Sequence, residues 1–381
     1  MSGCRNRRRF NILNFKDISL KHWRGTLLTT KLFGINLLNI QLRDVGEDEG
    51  RSAMAGKDVS RTGWMGRCLA YAAVLLGLAG ASPPARAADA VAAPTVETID
   101  ARDMHWRVLR WGPRDGVGVL LLHGFPQDAD SWRPVASTLA AAGYNVVAFD
   151  QRGASAATLS RPGDYVFDNF MADALAVADA TGLRRFHVVG FGWGGAMAWM
   201  LAAYHPDRVR SMTTLRYPHP AAFVDGIEHD PEQRASWEAV RKEIGPDNID
   251  KRAAALLADD ATGLRAFLRK SGLPEDATDR YVARLSQPGV LVGGLSWGTA
   301  LVPAQFAAVP PVRVPALFVW SKGPAVSEST VQASARYAKG PYRVVELQDV
   351  GHFMIETAPQ TVAAPILDFL RETDAPPAAR K

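Results

Sequence analysis

Gly190-Phe191-Gly192-Trp193-Gly194-Gly195 follows His187-Val188-Val189, which reads as a short buried strand, and precedes Ala196 to Tyr204, which reads as an apolar helix. A strand that passes into a helix through so little chain must turn sharply. Glycines on both sides of the central residue suit such a turn, because side chains there would collide with the crossing backbone. In turns of this kind the central residue is Ser, Cys or Asp, held at a costly backbone angle so that its side chain reaches into a pocket. Here it is Gly192, which carries no attacking atom. No Ser, Thr, Cys, Asp or Glu occurs between His187 and Tyr204 to replace it.

Outward from the turn, strands alternate with amphipathic helices, the signature of a largely parallel sheet covered on both faces. Met104 to Trp111 alternates as an early strand, and Val117 to Leu122 is a continuous apolar run expected at the centre of the sheet. Tyr144 to Phe149, Val209 to Leu215, Ala316 to Trp320 and Arg343 to Leu347 repeat the type. Trp132 to Ala142, Asp168 to Thr181 and Pro359 to Leu370 read as helices. From about Arg216 to Pro311 no strand pattern occurs. That stretch reads as short helices broken at Gly245-Pro246, Gly272-Leu273-Pro274 and Pro288-Gly289, an insertion expected to form a lid. The expected division is an atypical segment 1–53, a signal peptide 54–88, an α/β core in two parts, 89–215 and 312–381, and a helical lid 216–311.

The overall charge of +5 is concentrated at the N-terminus. Residues 1–87 hold 14 Lys and Arg against 6 Asp and Glu, which leaves the rest with 30 basic and 33 acidic residues. A mildly acidic main domain without a basic stripe gives no reason to expect a nucleic-acid partner. Both cysteines, Cys4 and Cys68, also lie in the leading part, so the main domain requires no disulfide. Residues 1–50 contain neither Ala nor Pro, whereas the chain after Arg51 is rich in both, which suggests a foreign segment or an upstream start. Met54 or Met65 is the expected beginning. Arg61 and Arg67, the apolar run Cys68 to Ala79 and the small-residue site Ala85-Arg86-Ala87 then form an export signal with a mature start near Asp89. The apolar run of about a dozen residues falls short of the roughly 20 that span a bilayer. The expectation is an exported, periplasmic protein, off the membrane once the signal is removed, with no cofactor or metal.

Five motifs in order, His123-Gly124-Phe125-Pro126, Asp150-Gln151-Arg152-Gly153, Trp193-Gly194-Gly195, Tyr217-Pro218-His219-Pro220 and Gly351-His352, carry a family likeness. From about Asp103 to Glu372 the chain resembles the α/β-hydrolase fold, and within it the epoxide hydrolases with an aspartate nucleophile, of which haloalkane dehalogenases are close relatives. The resemblance implies a mostly parallel sheet flanked by helices, with a helical lid after the sixth strand. It places a nucleophilic Asp at Gly192, which would form a covalent ester with the substrate. It makes His352 the base that hydrolyses that ester, and it places an oxyanion hole at the backbone N–H groups of Phe125 and Trp193. The acid that orients the histidine belongs just past the seventh strand, in Val319-Trp320-Ser321-Lys322-Gly323-Pro324, where none is found. Asp225, Glu328 and Asp349 are the alternatives. Two lid tyrosines that polarise the epoxide would fall at Trp237 and Gly298. His123, Gly124, Pro126, Trp237 and Trp297 are the expected pocket walls, and Trp193 is either a wall or a halide-gripping indole.

Losing a nucleophile costs on the order of 10⁶ in kcat, after which an acid and donors no longer support a selectable rate. The leading expectation is therefore an epoxide-hydrolase-like protein without the covalent mechanism, keeping an apolar pocket for a small hydrophobic ligand. One alternative is a weak hydrolase in which His352 activates water directly. Another is a sensory or partner-binding module with the lid as its moving part. No basic group other than His352 is expected in the pocket.

Overall fold

A computed structural model describes residues 93–375 apart from Pro324. The atypical segment, the export signal and the Ala85–Ala87 cleavage site lie outside the described residues. Eight strands form one sheet: β1 (Thr95–Ala101), β2 (Met104–Trp111), β3 (Gly118–Leu122), β4 (Asn145–Phe149), β5 (Phe186–Phe191), β6 (Val209–Leu215), β7 (Ala316–Trp320) and β8 (Tyr342–Glu346). Their order across the sheet is β1-β2-β4-β3-β5-β6-β7-β8. The first two are antiparallel to their neighbours, and all pairs from β4–β3 to β7–β8 are parallel.

Strand side chains alternate between faces, so each buried strand feeds two cores. Leu120 and Leu122 join a cluster with α2 (Phe167–Ala180) and α3 (Trp193–Tyr204), once α1 (Arg133–Ala141) is set aside on the other face. Val119 and Leu121 join that second cluster, with α1 and the closing helix Pro359–Asp374. The strand ladder matches the apolar runs to within a residue or two. β1 is an addition to the pattern: its residues alternate between exposed and half-buried, with Ile99 and Ala101 packed on the core, a weak signal beside the fully buried strands.

The helix α3 begins at Trp193, three residues ahead of the apolar run that signals it. Glycine is a poor helix former, and Gly194-Gly195 read as turn for that reason. Packing overrides the propensity. A Cβ on Gly194 would lie 2.1 Å from the Leu122 carbonyl oxygen, and one on Gly195 would lie 2.5 Å from the Thr214 hydroxyl. A Cβ on Gly190 would lie 1.9 Å from the Gly194 oxygen. These three glycines let a strand, a helix and the neighbouring strands cross at contact distance.

Between β6 and β7 the chain forms only helices: α4 (Pro220–His229), α5 (Pro231–Ile244), α6 (Ile249–Lys270), α7 (Glu275–Leu285), α8 (Val290–Leu295) and α9 (Pro303–Ala307), with a 3-10 turn at Ser296–Ala300. The breaks fall at the Gly and Pro positions that signalled them, and α6 carries a further kink where Asp259, Asp260 and Ala261 have positive φ. The insertion has its own small core of Leu264, Leu268, Tyr281, Leu285 and Leu291. Phe353, next in sequence to His352, is buried in that core, and Phe125 packs on it. The insertion is thus tied to two of the loops at the sheet's carboxyl edge. α10 (Glu328–Ala333), α11 (Met354–Thr357) and α12 (Pro359–Asp374) complete the described chain. No helix among the described residues is long and apolar enough to cross a membrane.

Candidate active site

The carboxyl ends of β5, β6 and β7 are level: Phe191 pairs with Leu215, and Leu215 with Val319. The next residues out, Gly192, Arg216 and Trp320-Ser321, therefore line one edge, and the β8 loop brings His352 to it. Ligands in open α/β sheets bind at this edge.

Gly192 caps α3 at φ 54° and ψ −121°, a conformation that glycine adopts readily and L side chains rarely do. Its N–H donates to the Leu215 oxygen at 3.0 Å, and its carbonyl accepts from the N–H groups of Gly195 (2.8 Å) and Ala196 (3.2 Å). Unlike its glycine neighbours it is not crowded. A Cβ here would have one atom within 4 Å, the Gly124 Cα at 3.9 Å, and the residue is partly exposed. The turn leaves room for a side chain that the residue does not have.

Trp193 is also partly exposed, its ring 5.9 Å from Phe167 and 6.1 Å from Tyr217. As the first helical residue its N–H has no intrahelical acceptor. The Phe125 N–H likewise meets no acceptor among the described residues. Phe125 is placed by a latch. Gln151 N–H donates to His123 Nε2 at 3.0 Å, so Nδ1 carries the proton and donates to the Gly124 oxygen at 2.9 Å. Gly124 N–H in turn donates to Gln127 Oε1 at 3.1 Å. His123 is accordingly a tie behind the loop rather than a pocket wall, with burial lowering its pKa to about 3. Its ring stacks on Trp297 at 5.6 Å, and the Trp297 indole donates to the Arg152 carbonyl at 2.7 Å. Gly124, Phe125, Pro126 and Trp297 share a cavity of only about 10 Å³. Trp237 lies apart from it, edge-on to Phe223.

His352 sits between Phe191 (5.6 Å) and Phe353 (5.1 Å), both edge-to-face. No hydrogen bond from any described residue reaches its ring. Burial first, and the Arg216 charge second, lower its pKa to about 3, so the imidazole is neutral near pH 7. None of the three alternative acids touches it. Asp225 pairs with Arg336 at 2.7 Å, Glu328 with Lys322 at 3.4 Å, and Asp349 is exposed.

Arg216 corrects the expectation that the pocket has no other basic group. Its N–H donates to the Val319 oxygen at 3.0 Å, which extends the β6–β7 ladder into what reads as the start of the insertion. The residue is 7% exposed, and Nη1 donates to the Ser321 carbonyl (3.2 Å) and hydroxyl (2.5 Å). The loop where the family's acid belongs is thus held by a guanidinium. Its pKa falls to about 10 through burial, and among the described residues no carboxylate offsets that cost.

A Ser-His-Asp chain does occur in the molecule, at the opposite end of the strands. His187 Nδ1 lies 2.7 Å from Ser211 Oγ and Nε2 3.2 Å from Asp374. Ser211 and His187 are both 0% exposed, which shuts out any substrate. A larger cleft of about 950 Å³ lies along α7, with Asp128, Asp150, Arg280, Arg284 and Glu356 among the side chains that line it, and includes neither Gly192 nor His352. Among the described residues no cluster of three or more His, Cys, Asp or Glu is arranged to hold a metal ion.

The sheet order, the glycine-built elbow after β5 and the histidine after β8 define an α/β hydrolase, and the chain belongs to that family: the family described as alpha/beta hydrolase fold matches residues 118–359. Several of the proteins it is similar to are epoxide hydrolases. Epoxide hydrolase A of Mycobacterium tuberculosis is 29% identical over 318 residues, covering 73% of this chain and 98% of the relative. Epoxide hydrolase 3 of Xenopus tropicalis is 30% identical over 264 residues, covering 67% and 71%. Among solved structures, epoxide hydrolase A from Mycobacterium thermoresistibile aligns at a TM-score of 0.61 with 25% identity, over 73% of this chain and 98% of that one.

Proposed function

We propose that this chain is an epoxide-hydrolase-like protein that has lost the covalent mechanism and binds a small, largely apolar molecule above the elbow. The observation that carries the reading is Gly192: a backbone at φ 54° with room for a side chain and no atom to attack with. A histidine without a carboxylate partner and a guanidinium in the acid loop agree with it. The oxyanion donors at Phe125 and Trp193 belong to the backbone and survive any side-chain loss. The aromatic surroundings, Phe167, Trp193 and Tyr217, suit an apolar guest. A structural neighbour from Bacillus megaterium was solved with a naphthyloxy-propanediol product. The helices α4 to α9 act as the lid over this site in the reading. The N-terminal signal makes the protein an exported, periplasmic one, which N-terminal sequencing from the native host checks: the mature chain starts near Asp89.

Direct hydrolysis by water on His352 is the weaker alternative. The neutral ring is available as a base, but a conjugate acid with a pKa near 3 makes it a feeble one at neutral pH. The test is a turnover assay with styrene oxide and p-nitrophenyl acetate. The proposal expects no diol and at most slow ester cleavage that His352→Ala abolishes. Steady epoxide turnover by the unaltered chain contradicts it.

A further inference from the structure

Within this same molecule Arg152 shows what a buried guanidinium ordinarily does. Its Nε and Nη2 grip the two oxygens of Asp173, each at 2.8 Å. That side-on edge matches a carboxylate in geometry and charge. Arg216 is nearly as buried, yet only its Nη1 is engaged, by Ser321. Nε is buried without an acceptor, and Nη2 donates to no described residue. No carboxylate lies within ion-pair distance of it among the described residues. The backbone is unusual too. Arg216 has φ 57°, a left-handed conformation that a non-glycine residue adopts only at a cost and that tends to mark functional positions. The nearby Tyr217 hydroxyl is a second buried donor without a partner, on a ring 6.1 Å from Trp193. On the outer side Nη2 would lie 3.2 Å from a Cβ at Gly323, an exposed residue with no side chain to cover it.

We propose that the corner between Gly192, His352 and Gly323 binds an organic carboxylate, whose two oxygens pair with Nε and Nη2 of Arg216. A buried charge left without a counter-charge is costly, and a ligand that supplies one recovers that cost on binding. The assignment rests on the ligand-pocket reading above and narrows its guest from an apolar molecule to an apolar monoacid. The carboxylate enters where the resemblance places the acid, beside His352, whose pKa burial and then the Arg216 charge lower.

Calorimetric titration of the full chain with phenylacetate and with its uncharged isostere phenylacetamide tests the proposal. Phenylacetate is expected to bind at least about tenfold more tightly, a difference of about 1.4 kcal/mol. In Arg216→Gln that preference disappears while the affinity for the amide stays within about twofold. In Arg216→Lys, which keeps the charge but not the paired donors, the preference is reduced. If Arg216→Gln does not fold, Arg216→Lys decides. Phenylacetate also raises the Tm of the unaltered chain and shifts the ring resonances of His352, and neither occurs with the amide. Equal affinity for acid and amide overturns the carboxylate assignment and leaves the pocket reading standing. A preference that survives in both Arg216 variants overturns it as well, as does inorganic phosphate or chloride binding as tightly as phenylacetate. Binding of neither organic probe overturns both readings.

Discussion

The decisive atom count is at residue 192. Replacing Gly192 with Asp puts a side chain at φ 54° without crowding it, so the expected cost is the backbone conformation alone, roughly 1–3 kcal/mol. Urea unfolding of Gly192→Asp measures it, and a loss well outside that range, or none, means that the residue does not sit in a strained turn. The substitution is not expected to restore turnover, because His352 has no carboxylate to orient it. His352 itself gives a second prediction. Its pKa is lowered from 6.5 to about 3, so the unfolded chain takes up a proton below pH 6.5 that the folded chain takes up only near 3. The ring's contribution is therefore fully present above pH 6.5 and lost as pH falls through that window. His352→Phe keeps an aromatic ring between Phe191 and Phe353 and removes the proton. The stability of the unaltered chain relative to this variant should fall from pH 6.5 toward 3, and a flat difference means that the imidazole is not shielded.

At the scale of the element, the elbow separates glycines that are sterically compelled from those that are not. Gly190→Ala places a methyl group 1.9 Å from a backbone oxygen, which cannot move without displacing α3. The expected loss is about 3 kcal/mol or more, at the upper end for overpacking. Gly351→Ala meets nothing within 4 Å at an ordinary φ and should stay within about 0.5 kcal/mol. Chemical denaturation of the pair checks the contrast. The elbow was legible in the sequence because its constraint is local: four glycines and a buried strand within a few residues. Arg216 was not. A basic residue ahead of Tyr217-Pro218-His219-Pro220 reads as the solvent-facing start of the insertion. Its burial comes from pairing with β7 and Ser321, 105 residues on, which no local pattern reveals. β1 escaped for the opposite reason: its inner face is only half-buried, and on that face Ile99 and Ala101 alone are apolar.

For the molecule as a whole, the alternation of apolar strands and helices made the sheet and the helical insertion readable, since burial on both faces leaves continuous apolar runs. What holds the insertion to the core was not readable. Arg284 of α7 donates to the carbonyls of Ala154 and Pro126 and lies 2.9 Å from Asp128, with both side chains largely buried. Arg284→Met should cost about 3 kcal/mol by leaving Asp128 without its partner, and should speed amide exchange in residues 249–295 ahead of the sheet. Exchange that rises equally everywhere contradicts that strut role. Whether the elbow presents a nucleophile is read out by intact-mass spectrometry of the full chain after incubation with styrene oxide, alongside His352→Ala, in which a covalent ester would persist. Without a nucleophile both masses stay unchanged, which is the expected result. A mass increase of one styrene oxide, mapped to any residue from Gly190 to Gly195, contradicts it.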